Sequence, residues 1–246
     1  MNKVLQTPLL LVAVIFLLWG GIAIVSANFD SSNLPDSQIA ISTKLMGISQ
    51  KDIARVQMEA RIALNSIPQI LGIEYRKTTQ IKIVYSGICN AIGGIVSLPI
   101  SHVRDKSAPI IHEVTHIIAK HESNSFFSEG LAVYFQEKFG KFNSFPNFSV
   151  PLDDLVRNYK DQLMHITKLK NDNEIFGLVG TEKRKIAYIE AGSFINFLVV
   201  KYGEQKLADL HNSSSLNYKK IYGKKVNDLE AEWKNHVFGR GSLIKG

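Results

Sequence analysis

The stretch His112-Glu113-Val114-Thr115-His116 constrains this chain more than any other, because it joins ionisable chemistry to an apolar helix. Two histidines four positions apart share one helical face, one turn apart, so their imidazoles can meet a single ion. Ile111, Val114, Ile117 and Ile118 supply the apolar surface that would hold such a helix inside a core. Pro109 suits its first turn, where a missing N–H costs little. A helix over residues 109–120 is therefore expected.

Glu113 leaves the helix on a different bearing from the two histidines, where its carboxylate can take a proton from water beside a metal. Zinc fits this donor set, lending Lewis acidity and a lowered pKa to bound water. The single cysteine, Cys89, excludes a four-cysteine zinc site and an internal disulfide framework. A third ligand must come from elsewhere. Glu129 is the best placed: it follows the turn SNSFFS and opens EGLAVYFQEKF, so a helix reversal would return it toward His112 and His116. Ser125 or Ser128 is expected to cap that second helix, and Gly130 to permit close packing. His121 and Glu122 are weaker rivals on or just beyond the first helix.

The rest of the chain reads as one α+β domain, strands first and helices after. Residues 49–67 have helical spacing, with Ser49 at the start and Pro68 and Gly72 at the end. Short strands are expected at 80–85 and 94–99. Further helices are expected at 128–139, 151–164, 183–201, 204–211 and 226–237. Ahead of this domain (48–246) lie a polar linker at 28–47 and a signal-anchor or signal peptide at 1–27. Residues 9–25, LLLVAVIFLLWGGIAIV, carry no charge and follow Lys3. They read as a single membrane helix with the catalytic domain outside the cytoplasm; cleavage after Ala27, releasing a secreted domain, is the alternative.

The segments IIHEVTHII, FFSEGLAVYFQ, AYIEAGSFINFLVVKYG and YGKKVNDLEAEWKNHV resemble the peptidase MA-like family of gluzincin metallopeptidases, over about residues 75–237. The resemblance implies a zincin, thermolysin-like fold with a small mixed sheet and an active-site helix. It implies His112, His116 and Glu129 as zinc ligands and Glu113 as general base. It also implies an edge strand near residues 94–99 that pairs with an extended peptide. Tyr188 resembles the family's oxyanion donor, and core packing is its equal alternative. The family's Asp or Ser after the third ligand is missing, since Ala132 and Val133 stand there. Any bond orienting a ligating histidine must come from another residue.

The expected function is zinc-dependent hydrolysis of a peptide or protein substrate; the alternative is a membrane-tethered, catalytically silent zincin scaffold. A net charge of +7 is mild, and Lys183-Arg184-Lys185 reads as a solvated face, so no nucleic-acid partner is expected. Glu190, His165, His211 and His236 are minor site candidates, with packing or exposed roles expected of each.

Overall fold

Hydrophobic alternation sets the sheet. In the computed structural model, which describes residues 38–43, 47–120, 124–140 and 143–239, strand β2 (Thr79–Val84) buries Thr79, Ile81 and Ile83 and exposes Gln80 and Lys82. Such a period-two pattern belongs to a sheet with one covered face. Strand β1 (Ile39–Thr43) pairs parallel with β2, and helix α1 (Gln50–Leu71) makes the crossover between them. Part of the 28–47 stretch read as a linker is thus a strand. Ile39–Thr43 is short, and its partner lies a whole helix away, so nothing local announces it.

Ser49 caps α1 as expected, accepting the Asp52 N–H, but Pro68 does not end the helix, which runs to Leu71 before Gly72. Strands β3 (Asn90–Ile92) and β4 (Ile95–Pro99) form a hairpin around Gly93-Gly94, both at positive φ. That two-residue turn demands two left-handed residues in succession, which glycine supplies without strain. The sheet order is β1-β2-β4-β3, with β3 antiparallel to β4 and the other pairs parallel. The strand expected as the edge near 94–99 is therefore interior; the short β3 is the edge. It was hidden because three residues do not establish an alternation.

The short helix α2 (Ile100–Arg104) leads to α3 (Ile110–Ala119), whose residues from Ile110 to Thr115 are all buried. Helix α4 (Ser125–Phe139) packs against α3 and, more extensively, against the later helix α8 (Glu182–Tyr202). Between them in sequence run α5 (Leu152–Asn158), a 3₁₀ turn at Lys160–Gln162, α6 (Ile166–Leu169) and α7 (Asn173–Gly177). The helix expected over 151–164 thus stops early. The chain closes with α9 (Glu204–His211), α10 (Tyr218–Tyr222) and α11 (Val226–Gly239).

A glycine from each helix brings α4 and α8 together. A Cβ on Gly130 would stand 2.8 Å from the Ala191 carbonyl oxygen, and one on Gly192 2.3 Å from Val133 Cγ1. Trp233 of α11 is fully buried and donates to Ser193 Oγ (2.9 Å), which donates in turn to Asp153 (2.7 Å). That chain ties α11, α8 and α5 into the layer behind the cleft. The fold is a mixed α+β domain with a small four-stranded sheet, as read from the sequence. Among the described residues no helix is long and apolar enough to cross a membrane; residues 9–25 lie outside them.

Candidate metal centre

Helix α3 is fixed at both ends. Its start uses the Pro109 carbonyl, which accepts the Glu113 N–H at 3.1 Å. The His112 N–H, one of the donors that a helix start leaves without an internal partner, is taken by Gln136 Oε1 of α4 at 3.0 Å. Lys120 ends the helix in the left-handed region, φ 52°. Asn124 then caps α4 by accepting the Phe127 N–H at 3.0 Å, in place of Ser125 or Ser128. Glu129 consequently lies in the second turn of α4, one heptad before Gln136. One face of α4 thus supplies both a metal-ligand candidate and the bond that anchors His112.

The three expected ligands converge. His112 Nε2 and His116 Nε2 each lie 3.2 Å from Glu129 Oε2 and 3.2 Å from one another. Bonds of roughly 2.0–2.1 Å to a tetrahedral zinc would separate two donors by about 3.3 Å. The donor triangle fits that ion. His112 and His116 with Glu129 are also the one His/Cys/Asp/Glu group suited to a metal among the described residues.

Electrostatics point the same way. His112 Nδ1 is buried without a hydrogen-bond partner among the described residues. Without an ion the cluster must hold protons instead. Burial opposes charge on His116, but Glu129 beside it outweighs that and lifts the imidazole to about 9. Burial would raise the Glu129 carboxyl, yet the two imidazoles hold it well below the usual carboxylate range.

A candidate for the orienting bond lies just before Glu129 rather than after it. Ser128 Oγ lies 3.2 Å from His116 Nδ1. A ligating histidine normally binds such a partner through its other ring nitrogen, which fixes ring and tautomer. The residue adjoining Glu129 on its N-terminal side faces back toward α3. That placement becomes visible only once the turn between the helices is known.

Glu113 and Tyr188 join the triad in a cleft of about 650 Å³. Burial pushes the Glu113 carboxyl up, while the imidazoles of His112 and His116 pull it down. Tyr188 is 4% exposed, and its ring stacks on His112 with centroids 5.8 Å apart. Burial and then Glu129 push its phenol up, so it keeps its proton. Tyr188 is thus packed in the core and also lines the cleft beside His112. Cys89 also lines the cleft, its thiol pushed up to about 12 by burial and by Glu113.

The lining comes from two parts of the chain: β3 with the preceding Ile88 and Cys89, and the later Phe145, Phe148, Val179, Arg184 and Tyr188. Arg184 was read as part of a solvated face, yet it is half-buried here, with its Nη2 donating to Tyr188 Oη at 2.9 Å. The i,i+4 spacing of Arg184 and Tyr188 is the sequence signal that links them. Glu190, His165, His211 and His236 do not line this cleft; His121 and Glu122 lie outside the described residues. No family model matches this sequence, and no match is found among curated proteins or solved structures.

Proposed function

We propose that this chain is a zinc-dependent peptidase of the gluzincin type, built on a zincin-like arrangement of a small mixed sheet and an active-site helix. The observation that carries the reading is the triangle of His112, His116 and Glu129 with Glu113 beside it in one cleft. Zinc held there would supply a Lewis acid for the scissile carbonyl and a lower pKa for water.

The chain's own groups account for the remaining chemistry. Glu113, on α3 beside the triad, takes a proton from the attacking water and passes it to the departing amine. Its buried position favours the protonated form, which suits the second half of that task. Tyr188 keeps its proton and can donate it in a hydrogen bond to the carbonyl oxygen as charge develops there. The outer side of β3 is a strand edge unpaired among the described residues, to which an extended peptide can add by backbone hydrogen bonds. Exposed Ile92 and Val179 in the cleft lining favour apolar substrate side chains. With residues 9–25 as an anchor, the substrate would be met outside the cytoplasmic membrane.

The test is metal analysis of the purified full-length chain together with cleavage of a peptide library followed by mass spectrometry. The expected result is one zinc per chain and cleavage that a chelator stops and zinc restores. A chain that binds zinc at this site and cleaves no peptide supports the silent-scaffold reading instead.

A further inference from the structure

Among the described residues of the cleft, one guanidinium stands without a carboxylate in ion-pair distance. Arg184 is the one lysine or arginine among the described residues that line the cleft. Its guanidinium carbon lies 5.0 Å from the Tyr188 ring centre and 5.8 Å from that of Phe145. Two aromatic faces thus hold a planar group in place, an arrangement suited to guanidinium rather than to an ammonium. Of its several N–H donors, a single one is engaged by another side chain, that of Tyr188. Its Nε is buried without a hydrogen-bond partner among the described residues.

Fully buried arginines are almost always paired, and in half-buried Arg184 the Nε is itself buried. Arg184 has no carboxylate within ion-pair distance among the described residues, although Glu113 feels its charge.

From these observations we infer that Arg184 binds a carboxylate of the substrate beside the scissile bond, giving the cleft a preference for anionic peptides. This rests on the peptidase reading and specifies its substrate class. Arg184 stands one aromatic ring away from His112, because the Tyr188 ring between them is 5.8 Å from the imidazole. At roughly 3.3 Å per extended residue, the carboxylate belongs within about two residues of the scissile carbonyl. A chain-terminal carboxylate and an Asp or Glu side chain share the required chemistry. The planar fork of Arg184 matches either one with paired hydrogen bonds.

The experiment uses the full-length chain and short N-acetylated peptides in matched sets. One set compares a free C-terminal acid with its amide, and the other an internal Glu with Gln. Binding is followed by calorimetry and cleavage by mass spectrometry. The native chain should favour the acid over its neutral partner by about 10–100-fold in one set, which also identifies the source of the carboxylate. Arg184→Gln should erase that preference, and Arg184→Lys should restore part of it.

Arg184 also bonds Tyr188, so a purely positioning role would slow cleavage of acid and neutral peptides alike and leave their ratio unchanged. Tyr188→Phe should keep the preference. Equal binding of acid and neutral peptides in both sets, or a preference that survives in Arg184→Gln, overturns the inference. Failure of the peptidase reading is recognised separately: the acid preference is then seen in binding while no peptide is cut.

Discussion

Glu113 and Glu190 are both buried glutamates on long-buried helix faces, and burial pushes both carboxyls up, Glu190 to about 8. Their surroundings separate them. Glu113 feels two imidazoles, a second carboxylate and Arg184, and it opens onto the cleft. Glu190 accepts the Met164 N–H at 2.9 Å, with Lys234 and Glu230 nearby, behind the cleft wall. A shifted carboxyl is therefore no sign of chemistry by itself. What distinguishes the candidate site is a donor triangle, an open cleft and a further carboxyl at the same place.

Breaking the triangle should have the largest effect. Replacing His116 with Ala removes one corner, so stoichiometric zinc should be lost along with turnover, as read by metal analysis at matched protein concentration. Glu190→Gln should leave zinc content unchanged. Removing the Tyr188 hydroxyl should lower turnover by about 10²–10³-fold while zinc remains, because a single oxyanion donor is worth roughly that much. A Tyr188→Phe chain with native kcat returns Tyr188 to packing alone. Ser128→Ala should weaken zinc by about 10–100-fold in a competition titration, the range for losing a bond that orients a ligand. Unchanged affinity would show that His116 is oriented without Ser128.

The smallest effect on turnover belongs to Glu190, and its signature is in stability. Its folded pKa lies above the ordinary carboxylate value, so folding favours the protonated form. That contribution is complete below the ordinary pKa of 4.5 and is lost as pH rises through about 8. Urea unfolding across this window should show stability falling with pH in the native chain, and a flatter dependence in Glu190→Gln. Equal slopes in the two chains would contradict the burial account of Glu190.

The metal-ligand candidates, Glu113 and Tyr188 were legible in the sequence, and the rest of the cleft lining was not. His112, Glu113 and His116 obey helical spacing within five residues, and Glu129 follows through one short turn. Each relation is local. β1 escaped notice because its partner β2 lies beyond α1, and β3 because the hairpin at Gly93-Gly94 leaves it only three residues long. The swap of edge and interior strand follows from that same hairpin. Arg184 sat in a run of three basic residues, and successive helical positions point in different directions. Lys183 is exposed, Lys185 donates to the Tyr159 hydroxyl and Arg184 lines the cleft, a division set by the packing of α8.

The most direct test of the account is Glu113→Gln compared with the native chain on one peptide at equal zinc occupancy. Glutamine keeps the volume and can still hydrogen-bond, but it cannot accept the proton. The account predicts native zinc content and circular dichroism, with turnover lower by roughly 10²–10⁴-fold. Equal turnover in the two chains at matched zinc would contradict it.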